Sequence, residues 1–144
     1  MDRITDPAVA IHLGSASLAL LLGAWQLLAA KRGLRHRGVG YLWMGAMLAA
    51  ALSSFWLTSD IGFAVLAGYG PLHALSLLTI VSIAMAVRRA LQRDFRGHRY
   101  WVGGAYAGLA VAGVFAAALP GRTLNAILFV DLPQRLLALA PAAF

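Results

Sequence analysis

Cysteine is absent from this 144-residue chain, which excludes disulfide scaffolds, thiolate metal sites and cysteine nucleophiles. Acid is scarce too. Five carboxylates, Asp2, Asp6, Asp60, Asp94 and Asp131, stand against twelve lysines and arginines. All five lie outside the long apolar runs, so no candidate span carries an acid for proton coupling, and transport would require the chain to oligomerise. Charged residues are 12% of the chain, about half the share of a soluble domain. Ser-x-x-Lys, Gly-x-Ser-x-Gly and His-Glu-x-x-His do not occur, nor does a phosphate-binding glycine loop. Hydrolase and transferase chemistry has no motif here.

What the chain has is hydrocarbon. Hydrophobic residues make up 61% of it, in stretches approaching the roughly 20 residues that cross a bilayer. The expected fold is all-α, a polytopic transmembrane four-helix bundle with spans near 8–30, 39–57, 71–87 and 100–119. Pro7 is placed for a helix start. The stretch from Met1 to Pro7 lacks the basic flank of a signal peptide, so the first run is expected to remain as a helix. The tail, 123–144, is apolar but interrupted by Asp131, Pro133, Arg135 and Pro141. It is expected as an interfacial helix, with a fifth span as the alternative.

Net charge is +7, and nine of the twelve cations fall in two short segments, Lys31 to Arg37 and Arg88 to Arg99. Both segments separate apolar runs, where membrane topology gathers cations. Nucleic acid is therefore not the expected partner; anionic lipid headgroups are. Both segments follow odd-numbered spans, so they share one side, expected to be cytoplasmic, with the N-terminus periplasmic. Trp43, Tyr41, Tyr100 and Trp101 just beyond them are expected in the interfacial aromatic belt.

The four histidines repeat inside this frame. His12 and His73 open apolar runs as His-x-x-Ser, with Ser15 and Ser76, while His36 and His98 follow as His-Arg in the basic segments. The separations are 24 residues from His12 to His36 and 25 from His73 to His98. Spans one and three run in the same direction, so the pattern reads as two hairpins related by a parallel repeat. It divides the histidines into an outer pair, His12 and His73, and an inner pair, His36 and His98, roughly 30 Å apart. Spans one and three are diagonal partners in an up-and-down bundle, as are two and four. An imidazole from each diagonal helix is a way to hold haem b by its two axial positions. Ser15, Ser76 and Gln26 are candidates to orient these imidazoles or to bond neighbouring backbone.

A plainer reading stands beside this one: interfacial histidines also bond headgroups, water or helix ends. His36 and His98, flanked by arginine, suit that reading more than His12 and His73, so the outer pair leads as the candidate site. Asp2, Asp6 and Asp60 are candidate oxygen ligands for a metal at the outer pair, although the metal itself is unknown. Two histidines are too few for a structural zinc site.

The ordered set His12, Gln26, Arg35-His36-Arg37-x-x-Gly40, Trp43, Ser53-Ser54-Phe55-Trp56, Pro71-Leu72-His73-x-Leu75-Ser76, Arg96-x-His98-Arg99 and Pro120-Gly121-Arg122 resembles one bacterial family. It is the membrane-protein family carrying the domain of unknown function numbered two-three-zero-six, and the resemblance covers roughly 8–130. It implies a four-helix integral protein of the bacterial inner membrane and supplies no activity. Two functions remain open: a haem- or metal-binding electron-transfer protein using the histidine pairs, or a cofactor-free accessory subunit. The second packs against a larger membrane complex or another copy of the chain.

Overall fold

The computed structural model describes residues 6–29, 31, 33–57, 71–120 and 122–139. Among these every regular element is helical. Helix α1 is Pro7–Leu28, opened by the Asp6 carboxylate, which accepts from the Ala8 N–H at 2.9 Å, with Pro7 in the first turn where its missing N–H costs nothing. Helix α2 is Gly33–Ser53, tightened at its end into a single turn, Ser54–Trp56. Helix α3 is Pro71–Leu91 and α4 is Phe95–Ala118. All four are long and apolar enough to cross a membrane.

Helices α2 and α4 start earlier than hydropathy indicates, at Gly33 and Phe95 rather than near residues 39 and 100. The reason is that arginine interrupts a hydropathy run but not a helix. It is a good helix former whose aliphatic stem lies along the helix while its charge reaches the surface. His36 and His98 therefore sit in opening turns of helices, not in basic segments ahead of the spans as expected. Trp43 moves with them. It lies almost three turns into α2 and is only 4% exposed, a core residue instead of an interfacial anchor.

The α3–α4 connection is a Schellman turn. Arg93 adopts a left-handed conformation at φ 60°. The Asp94 N–H reaches Arg89 O at 2.9 Å, and the Arg93 N–H reaches Ala90 O at 3.0 Å. Asp94 then caps α4 by accepting from the Gly97 N–H at 2.9 Å and pairs with Arg89 at 3.1 Å. The Gly97 N–H, then the Arg89 guanidinium and the Arg96 N–H, hold the Asp94 carboxyl below the usual carboxylate range, outweighing slight desolvation.

Each of the four helices contributes to one core: Ala19 from α1, Trp43, Ala46 and Met47 from α2, Ile83 from α3 and Ala105 from α4. Alanine recurs in this interior beside the larger Trp43, Met47 and Ile83, while many leucines, valines and phenylalanines face outward, with Leu21, Leu42 and Leu77 more than half exposed. That inversion suits hydrocarbon, where close helix approach, not apolar burial, drives association. At Gly23 the Tyr106 ring reaches α1 so closely that a Cβ would overlap it.

From Val111 the chain forms a second compact unit. It holds the last turns of α4 and a tail of α5, Thr123–Ala126, a widened turn, Ile127–Asp131, and α6, Leu132–Leu139. Asn125 Nδ2 donates to Ala117 O at 2.7 Å within it. The tail is helical as expected through Leu139, and the widened turn ends two residues before Pro133, which has no N–H for an ordinary helical bond.

Candidate functional site

Helix polarity explains how the two histidine levels are built. The last turn of an α-helix leaves carbonyls without intrahelical partners, and the first turn leaves N–H groups. His12 and His73 meet the end of α2. His12 Nδ1 lies 2.9 Å from Ala50 O and 3.4 Å from Ser53 Oγ. His73 is buried, and its Nε2 lies 3.1 Å from both Ser54 O and Leu57 O. Carbonyls only accept, so each nitrogen donates. The Phe55 ring tilts against His73 at 5.9 Å.

The serines of this level make hydrogen bonds of their own. Ser15 Oγ donates back to Ile11 O at 2.6 Å, a bond within its own helix. Ser76 meets Ser54 in a buried hydroxyl pair of 2.7 Å that joins α2 to α3. Of the proposed oxygen ligands, Asp6 is engaged as the α1 cap, and Asp2 and Asp60 lie outside the described residues.

At the other end, His36 and His98 stand near the starts of α2 and α4, and each looks across to the helix before it. His36 Nδ1 lies 2.8 Å from Gln26 Oε1, while Gln26 Nε2 donates to His36 O at 2.9 Å. The amide thus holds its oxygen toward the ring, and Nδ1 donates. His98 Nδ1 donates to Ala86 O at 2.9 Å. In the neutral ring each Nε2 then keeps its lone pair, the tautomer of a metal-ligating histidine. The parallel hairpins of the sequence reappear here, with the second helix's histidine donating to the first helix in each, to a side-chain amide in one and to a backbone carbonyl in the other.

Both inner histidines line a cavity of about 750 Å³, within the range of small-molecule and cofactor sites. Its lining is largely apolar, with Trp43, Met44, Val102 and Tyr106 deeper along the helices, and Lys31, Arg37 and Arg99 at the basic end. Trp43 Nε1 is buried without a hydrogen-bond partner among the described residues, a loose donor in this wall. Tyr106 reaches Leu20 O at 3.3 Å and ties α4 to α1.

Sequence reasoning brought the histidines and Gln26 forward but missed Trp43 and Tyr106 as parts of a site. The signal was present: His36, Gly40 and Trp43 recur at helical spacing and share a face, as do His98, Val102 and Tyr106. It is visible only when α2 and α4 are started at Gly33 and Phe95. Among the described residues no three histidines or acids group to hold a bare metal ion.

Comparison with known proteins gives one family. The model of the family described as predicted membrane protein (DUF2306) matches residues 9–141. No curated protein and no solved structure matches the chain.

Proposed function

The chain belongs to the DUF2306 family of predicted membrane proteins, and from that premise we propose that it is a membrane-embedded haem protein for one-electron transfer. The carrying observation is that His36 and His98, from two different helices, line one cavity with each Nδ1 already donating to the protein. Two imidazoles without a third protein ligand suit haem better than a bare metal, because the porphyrin supplies four nitrogens and needs two axial partners. His36 and His98 would hold the haem iron, and one-electron transfer is the chemistry the group would supply there. Gln26 and the Ala86 carbonyl fix the ring orientations, and much of the surrounding wall is apolar.

The outer pair is then structural, closing the end of α2. The surroundings follow from the charge pattern: the basic ends face the cytoplasm of a bacterial inner membrane and lie among anionic headgroups.

An absorption spectrum of the purified full-length chain tests the haem reading. The expected result is a Soret band, with visible bands that sharpen on reduction, lost in His36→Ala and in His98→Ala. A colourless protein that stays folded with all four histidines replaced would overturn it and leave the accessory-subunit function.

A further inference from the structure

The lining of the inner cavity includes three cations, Lys31, Arg37 and Arg99, and no carboxylate. The ion pair among the described residues, Arg89 with Asp94, is not part of that lining. Among the described residues Lys31 makes a long contact, 3.4 Å, to Leu27 O. Cations lining a membrane cavity with no carboxylate among its described lining mark the path or seat of an anion.

Their placement is one-sided. Helical side chains lean toward the N-terminus of their own helix. Arg37 and Arg99 therefore project toward the basic starts of α2 and α4, the end from which Lys31 also enters. Those starts are the positive ends of two helix dipoles. Trp43 lies six residues beyond Arg37 and Tyr106 seven beyond Arg99, about 9 to 10 Å deeper. The cavity is thus amphipathic along its length, cationic at the mouth and aromatic within.

We infer that Lys31, Arg37 and Arg99 bind the two carboxylates of the porphyrin, so that the cavity selects an amphipathic dianion. This rests on the haem reading above. The ring lies among the apolar side chains between the two imidazoles, and both carboxylates stay at the basic mouth. An anionic lipid would satisfy the same cations but would leave two oriented Nε2 lone pairs unused.

The test titrates the full-length chain, in bilayer discs of zwitterionic lipid, with iron protoporphyrin IX and with its dimethyl ester. The ester keeps ring and iron and removes both negative charges. The expected result is preference for the free acid on the order of tenfold, the sum of a few partly exposed ion pairs. Combining Lys31→Gln, Arg37→Gln and Arg99→Gln should abolish the preference and leave the absorption maxima in place, since both histidines remain. Arg37→Gln or Arg99→Gln alone should remove part of it and serves if the triple variant does not fold. Equal affinity of the unaltered chain for acid and ester overturns the inference and spares the haem reading, and a triple variant that keeps the preference does the same. Failure to bind either form overturns both.

Discussion

At the end of the bundle where α2 stops, His12 and His73 donate to backbone carbonyls of that one helix. At the end where α2 begins, His36 and His98 donate to the preceding helix of each hairpin and flank a common cavity. The residue type and the repeat are the same, yet the outcomes differ because a helix presents acceptors at one end and donors at the other. An imidazole at a C-terminal end is absorbed by the helix it meets. One at an N-terminal end finds no acceptor in its own first turn and reaches across, which holds the ring in a fixed orientation beside the space between helices.

The largest expected effect would break this comparison outright. His36→Ala and His98→Ala should abolish the Soret band, whereas His12→Ala and His73→Ala should keep it in whatever protein folds. The reverse pattern would move the site to the outer end.

Packing at the inner end comes next. Gly23→Ala should destabilise by about 1–3 kcal/mol, because its Cβ would overlap the Tyr106 ring. Gly14→Ala, which meets nothing within 4 Å, should be neutral or slightly stabilising in a helix. Thermal unfolding in detergent checks both, and equal shifts would deny the contact of the Tyr106 ring with Gly23 a part in stability.

The outer end should respond through its hydrogen bonds. Ser54→Ala breaks the buried pair with Ser76 and should cost roughly 0.5–1.5 kcal/mol, with no change in any haem spectrum. A spectral shift equal to that of an inner-level variant would mean the two ends are not separate.

The smallest effect lies in the α3–α4 turn beside the inner end. The Asp94 carboxyl is held below its ordinary value by Gly97, Arg89 and Arg96. Its contribution is complete above the unfolded pKa and is lost as pH falls through the lower folded one. Unfolding temperature against pH should show a small acid-side loss that is absent in Asp94→Ala. An identical profile in both would deny the carboxylate its role in the turn.

Much of the fold was legible because hydrocarbon leaves few alternatives: helices must satisfy their own backbone, and the cations sort the connections. Helix bounds were less legible, since hydropathy stops at arginine and hydrogen bonding does not. The site was legible as residue types but not as places. His12 and His73 led in sequence because they lie nearer hydrocarbon, where an unpaired imidazole is costly. In the structure the same proximity is answered by backbone carbonyls of α2, a partner no side-chain pattern reveals.

The sequence by itself determined a membrane-spanning helical chain with two hairpins and a histidine near each end of both. Periodicity, length and charge are local properties, and a bilayer reads them directly. Tertiary structure alone decided which histidines close a helix and which line a cavity, and it turned Trp43 from an interfacial aromatic into a buried wall. Those outcomes depend on the rotation and register of one helix against another. Small side chains such as Gly23 and Ala105 set that packing, and their meaning comes from what lies opposite them.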